Sequence, residues 1–476
     1  RLTDEEAYRY IHSLWTMIEN RRTTVNGRII VGGKGRKHPK EADVFLHIAM
    51  KVAKNCRYVE PQFTLRFDKD TSEEIWDEAL DALGAGATYP TLYNDDVNVP
   101  AVMYGMRVDE KTAEQYVPFG CTEFVIQGQS TGTPNICINL LKLLTIYMND
   151  GIDPIDGKRK SGPVPLKKLE EYQTFEEFYD GYKALLDYYL DLSVKAQYHS
   201  YEVMNQHVSF LFTSLLTDDC IARGKALLDG GVRYLGGTNE TYGNINTSDS
   251  LWVIRDLVFN QKKYTLRQLN DAMLANFNGY EALRKDCLNC DKYGNDLETA
   301  DTMANDLYEF VAKGVRNRGI AIGMQYFLIV ISNNQLNTEW GNRTAASPDG
   351  RLSCMYMNPA NNPQGGANKS GPTAMLNSLA KFDAKYHGGS VQNIKFSPSM
   401  FNENRAVIKS LFKTYFAKGG CHLMVTVVDK GVLEDAVEHP ENYPDLIVRV
   451  SGFSAVFVDL SPNIQQELLS RVLYDE

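Results

Sequence analysis

The chain has 476 residues, 43% of them hydrophobic and 11% aromatic, which is enough to bury a large core. A formal charge of −10 argues against nucleic acid as a main partner, because a phosphate-binding surface needs clustered lysine and arginine. No apolar run approaches the roughly 20 residues that span a bilayer. Arg1 already lies in helix-like sequence with no signal-peptide pattern, so a cytoplasmic chain whose true N-terminus has been lost is expected.

Helical and strand-like segments alternate along the chain, which fits an α/β class. Gly32-Gly33-Lys34-Gly35 lacks the strand-to-helix context and the terminal Lys-Ser/Thr of a phosphate loop. The short basic stretches Gly35–His38 and Lys158–Lys160 read as solvated loops. Phe63–Phe67 alternates apolar and polar residues like a half-buried strand. Thr71-Ser72-Glu73-Glu74 follows as a capping box, opening a helix through Ile75, Ala79, Leu80 and Leu83 that Gly84 is placed to end. Thr174–Glu177 is a second capping box, continued by a stripe of Phe178, Tyr182, Leu185, Leu186 and Tyr189 that reads as core. Thr265–Gln268 caps a further helix with Leu269, Met273 and Phe277 on its apolar face. The apolar run Ile320–Ser332, interrupted by Gly323 and Gln325, reads as a buried strand or helix. Ser347–Arg351 is a turn, Asn361–Gly366 an irregular connection, and Cys421–Val428 a buried strand.

Cysteines at 56, 121, 137, 220, 287, 290, 354 and 421 form no disulfide-like framework and fit a reducing compartment. Cys287-Leu288-Asn289-Cys290 has no companion pair, so a zinc or redox role is disfavoured. No histidine stands at helical metal-ligand spacing from another, and His387 and His422 read as structural; no bound metal is expected.

Two segments stand out: Pro118-Phe119-Gly120-Cys121-Thr122-Glu123-Phe124, and Arg449-Val450-Ser451-Gly452-Phe453-Ser454-Ala455-Val456-Phe457 near the C-terminus. Taken alone, Gly452 would be a turn glycine and Cys121 a small buried hydrophobe. The second segment, however, resembles the glycyl radical signature. The first resembles the Gly-Cys-x-Glu loop of the eliminating members of that family, such as the glycerol, diol and hydroxyproline dehydratases and choline lyase. Further landmarks follow in the family's order: Asn94–Val97, the helix from Tyr264 to Leu283, Lys292–Asp296, Ser347–Arg351, Lys369–Ala374 and Lys395–Pro398.

The chemistry accounts for the residue types. A glycine α-carbon has no Cβ, so it can flatten and share spin with its amide nitrogen and carbonyl, whereas a side chain would crowd the partner cysteine. Sulfur is soft, so a thiol can pass a hydrogen atom. The resemblance implies a ten-stranded α/β barrel, incomplete at the N-terminus here. Residues 1–345 would be the C-terminal part of the pyruvate formate-lyase-like barrel domain with its Cys loop, and 346–476 the glycine radical domain.

It further implies that Gly452 stores the radical and that Cys121, as a thiyl, abstracts hydrogen from a small hydroxylated substrate. Glu123 would be the general base, and its two-residue spacing would put it on the same face as Cys121 if both lay in a strand. A merely solvated or ion-paired Glu123 is the plainer reading. Asn135 falls where diol dehydratases carry an acidic residue; its amide can bind a substrate hydroxyl but cannot act as a general acid near neutral pH. An arylacetate-type decarboxylase is the competing enzyme class. A formate acyltransferase is less favoured, because Thr122 stands where that enzyme has a second cysteine. Outside catalysis, the chain would be a radical-domain spare part or an inactive fragment. The implied partner is a radical S-adenosylmethionine activating enzyme, and the implied assembly a homodimer.

Overall fold

The computed structural model describes residues 2–21, 27–132, 135–331 and 335–475. They gather into two compact units: one of residues 1–127, 371–385 and 389–476, the other of 128–370 and 386–388. Each unit is built around a sheet flanked by helices, so the α/β class holds in both.

The first unit opens with parallel strands β1 (Arg28–Gly32), β2 (Gln62–Phe67) and β3 (Thr91–Asn94), linked by the helices Pro39–Cys56 and Glu73–Gly84. A short antiparallel hairpin follows, β4 (Tyr116–Phe119) and β5 (Glu123–Ile126). The second unit runs parallel strands β6 (Ile136–Asn139), β7 (Gly236–Tyr242) and β8 (Tyr326–Ile331), with β9 (His387–Ser390) beside β8. The chain then returns to the first unit with β10 (Asn393–Phe396) and β11 (His422–Val427), which are parallel to each other. β11 runs antiparallel to β3, completing the order β1-β2-β3-β11-β10. A last hairpin, β12 (Ile447–Arg449) and β13 (Ser454–Val456), precedes the helix Pro462–Ser470.

Several expectations are corrected by tertiary context. The strand at 63–67 exists but is buried on both faces rather than half-buried, because it lies inside a largely parallel sheet. Its polar residues are satisfied there: Thr64 Oγ1 lies 2.9 Å from Thr91 Oγ1, and Arg66 forks onto Asp95 at 2.9 and 2.8 Å. The following helix is capped by Ser72, not Thr71, whose hydroxyl is held by Asp68. Gly84 is still helical, and Gly86 takes the left-handed turn at φ +88°.

At the second capping box, Thr174 accepts from the Glu177 amide at 3.2 Å, while the Glu177 carboxylate accepts from Gln173. The segment from Tyr264 to Leu283 is broken into helices Leu266–Leu274 and Glu281–Asn289. Phe277 lies between them at φ +61° and is buried, so it belongs to the core but not to a helical face. The run from Ile320 divides: a helix ends at Ala321, Gly323 turns at φ +91°, and β8 begins at Tyr326. Ser332 lies outside the described residues. The 347–351 turn forms, but in the interior, where Arg351 donates to the carbonyls of Ala345 and Gly341 at 2.8 Å each. No described helix is long and apolar enough to cross a membrane.

Candidate active site

The β4–β5 hairpin pairs Phe119 with Glu123, leaving Gly120, Cys121 and Thr122 as its three-residue tip. The Thr122 amide donates to the Phe119 carbonyl at 3.0 Å and closes the turn. The tip is conformationally strained: Gly120 has φ +50°, and Thr122, a β-branched residue, has φ +110°. Its surroundings hold that strain in place. Arg28 of β1 donates from Nη2 to the Gly120 carbonyl at 2.7 Å and to Gln62, and from Nη1 to Thr64. Gly389, itself at φ +145°, presses on Thr122 so closely that a Cβ there would lie 2.3 Å from the Thr122 carbonyl oxygen. At the base of the hairpin, Arg66 donates to the Tyr116 carbonyl at 2.8 Å.

This geometry corrects the strand argument for Cys121 and Glu123. Cys121 is in the turn and Glu123 is the first residue of β5, so the alternation rule does not relate them. Instead the Glu123 carboxylate folds back toward the tip: a Cβ on Gly120 would lie 2.9 Å from Glu123 Oε2. Both residues are buried, Glu123 to 4% exposure.

The glycine loop joins β12 to β13. Pairing runs from Ile447↔Val456 to Arg449↔Ser454, after which the amides of Val450 and Ser451 both donate to the Phe453 carbonyl, at 3.1 and 3.2 Å. Gly452 at the tip is buried against the cysteine. A Cβ on it would stand 2.4 Å from Cys121 Cα, 2.6 Å from Cys121 Cβ and 2.7 Å from Cys121 Sγ. Such distances are far inside van der Waals contact, so no side chain fits at position 452 while Cys121 stays where it is. The structure thus brings Gly452, Cys121 and Glu123 together within one unit.

The loop is tied from behind. Ser454 Oγ lies 2.8 Å from Thr88 Oγ1 and accepts from Arg449 at 3.3 Å. Arg449 is fully enclosed, stacked over the Tyr89 ring at 5.1 Å and donating to the Met424 sulfur, and burial lowers its pKa. Tyr93 of β3 is pushed up to about 12 by burial, with the charges of Arg28 and Arg449 opposing and that of Glu123 adding. The neighbourhood therefore includes the buried Arg449 and Glu123 and the half-buried Arg28 around the two loops, a setting in which fixed charges act strongly.

Asn135 lies in the other unit, just before β6. Its amide donates to Glu240 at 2.8 Å and its oxygen accepts from the Thr238 hydroxyl. A substrate hydroxyl would have to compete with those bonds. Thr133 and Pro134, immediately before it, lie outside the described residues.

The other features singled out in the sequence have local explanations. The Gly32–Gly35 loop binds the chain's own carboxylates, with the Lys34 amide on Asp95 at 2.7 Å and its ammonium on Asp96 at 2.7 Å. Burial pushes the thiols of Cys287 and Cys290 up to about 12 and about 11, and the Cys290 thiol donates to the Asp286 carbonyl at 3.4 Å. The His422 ring packs on Tyr93 at 4.5 Å and accepts from the Gln392 amide at 3.4 Å, while His387 packs on Tyr308. Among the described residues, His47, Glu74 and Glu78 form one group with ligand atoms in mutual reach; the His47 ring is engaged by Glu78 at 2.8 Å.

Sequence reasoning missed Arg28, Tyr93, Gly389 and Arg471. Arg28 on β1 and Tyr93 on β3 act on the hairpin from a separate sheet through their side chains, which leaves no local mark. Gly388-Gly389 carried a signal as an adjacent glycine pair, and Glu467–Arg471 as an i,i+4 ion pair at the end of a helix.

These two loops on an α/β frame define the class of protein. The chain belongs to the pyruvate formate lyase-like family, whose pattern matches residues 1–336, and the glycine radical pattern matches residues 357–458. It is 29% identical to trans-4-hydroxy-L-proline dehydratase of Clostridioides difficile, over 96% of this chain and 58% of that protein. It is 26% identical to the glycyl radical subunit of a 4-hydroxyphenylacetate decarboxylase from the same species (strain CD196), over 94% of this chain and 54% of that one. Among solved structures, the glycerol-bound B12-independent glycerol dehydratase of Clostridium butyricum superposes with a TM-score of 0.90 at 28% identity, covering 100% of this chain and 62% of that one. The fold is thus the α/β barrel type of the glycyl radical enzymes, as the resemblance implied, and the chain spans about six-tenths of the length of these relatives.

Proposed function

We propose that the protein of which this chain is part is a glycyl radical lyase that eliminates a leaving group from the carbon next to a hydroxylated one. The observation that carries the reading is the packing of Gly452 on Cys121, which leaves no room for a Cβ. The α-carbon radical of Gly452 takes the hydrogen atom of the Cys121 thiol, leaving a thiyl. The thiyl takes the hydrogen from the hydroxyl-bearing carbon of the substrate, and Glu123 takes the hydroxyl proton. The resulting ketyl radical expels the neighbouring group with its electron pair, and that group departs with the proton held by Glu123. The remaining α-carbonyl radical recovers a hydrogen atom from Cys121, so the net change is substrate to carbonyl compound plus the protonated leaving group.

Gly452 needs an outside agent to lose its first hydrogen, and a radical S-adenosylmethionine activating enzyme is the partner proposed for that step. That partner carries the iron–sulfur cluster. The proposed working assembly is a homodimer.

The likeness to a decarboxylase subunit favours a second reading, in which an arylacetate loses carbon dioxide. The test is anaerobic activation followed by a panel of glycerol, propane-1,2-diol, trans-4-hydroxy-L-proline and 4-hydroxyphenylacetate. A carbonyl product from glycerol or propane-1,2-diol supports the lyase as drawn; carbon dioxide from the arylacetate alone replaces it with the decarboxylase. Cys121→Ser should keep the radical signal and lose all turnover, and retained turnover would remove Cys121 from its role.

A further inference from the structure

Arg471 lies immediately after the C-terminal helix Pro462–Ser470, beyond the glycine motif and outside both signature segments. Its guanidinium is used on two sides. Nε and Nη2 hold the Glu467 carboxylate at 2.9 and 2.8 Å, and Glu467 is only 2% exposed. Nη2 and Nη1 reach the carbonyls of Val450 at 2.6 Å and Arg449 at 3.4 Å, the two peptide groups leading into the Ser451-Gly452 tip. The backbone bonds within the loop itself converge on a single acceptor, the Phe453 carbonyl. The helix that carries the clamp is fixed in turn: Ile464 and Leu468 pack with Val448, Val450 and Phe457 in one apolar cluster, and Lys395 of β10 donates to the Leu468 carbonyl at 3.1 Å.

We propose that Arg471 is a positioning residue, a latch that holds the Gly452 loop closed on Cys121. The inference rests on the radical reading above. Gly452 is buried against Cys121, so an activating enzyme can reach its α-hydrogen only when the loop moves outward, whereas hydrogen transfer to Cys121 needs it inward. A residue that sets this balance affects the two steps in opposite directions. Arginine suits the task because its planar fork serves a carboxylate and two carbonyls at once; lysine offers a single point charge and cannot do so.

The test uses the full chain with its activating enzyme and compares wild type with Arg471→Met and Arg471→Lys. Two quantities are read: the initial rate at which the glycine-centred paramagnetic doublet grows, and turnover per radical spin. Arg471→Met should gain doublet at least threefold faster and lose at least tenfold in turnover per spin, with KM within about twofold of wild type. Arg471→Lys should fall between, and it carries the test alone if the methionine variant does not fold. A variant that merely destabilises the fold would lose doublet and turnover together, which overturns the latch. Both quantities staying within twofold of wild type also overturns it, while leaving the radical reading intact. A wild-type protein that never shows the doublet removes the radical reading, and the latch with it.

Discussion

Gly120 and Gly452 stand on the two loops that meet in the first unit, and they are glycines for different physical reasons. Gly120 bends to φ +50° at the hairpin tip, a conformation that costs ordinary side chains roughly 1–2 kcal/mol. Gly452 has no such φ; it lacks a side chain because the space is filled by Cys121, with a Cβ falling 2.4 Å from the cysteine Cα. The cysteine loop is strained within its own hairpin and is held there by Arg28 on the Gly120 carbonyl and by Gly389 packed against Thr122. The glycine loop has an unstrained tip and is held from outside by Arg471. One loop is built to stay, and the other is built so that it can be released.

The comparison can be pressed at graded strength. The largest expected effect lies on the chemistry beside the fixed loop. Glu123→Gln keeps the size and burial of the side chain but removes the base, so turnover should fall by about 10²–10⁴-fold with the radical signal unchanged. An unaffected rate would make Glu123 a structural residue. A smaller effect separates conformation from space at the hairpin. Gly120→Ala and Gly120→Asn both place a Cβ against the mobile end of Glu123, so any difference between them reads the left-handed conformation, which asparagine tolerates better. The asparagine variant should melt higher and turn over several-fold faster than the alanine variant. Equal losses would mean that Gly120 too is required for room.

Much of this is legible in the chain's local patterns. The N-cap residues Thr174 and Thr265 mark real helix starts because a cap acts within one turn. The strands at 62–67 and 422–427 follow from their β-branched and aromatic content. Burial is harder to read, since whether Thr64 and Arg66 face water depends on Thr91 and Asp95, which arrive from other elements. At the site, the two motifs point to Gly452, Cys121 and Glu123, but the strand rule gives the wrong reason for Glu123 because Cys121 occupies a turn. Arg28 and Tyr93 leave no local mark because they reach the loops from other strands, and Gly389 and Arg471 carry only weak signals, a glycine pair and an i,i+4 ion pair, that do not say what they touch.

The central claim is that Gly452 holds the unpaired electron in contact with Cys121. Anaerobic activation of the wild-type and Gly452→Ala proteins, each followed by electron paramagnetic resonance, tests it most directly. The account predicts a glycine-centred doublet from the wild type and none from the variant; an unchanged doublet from Gly452→Ala would contradict it.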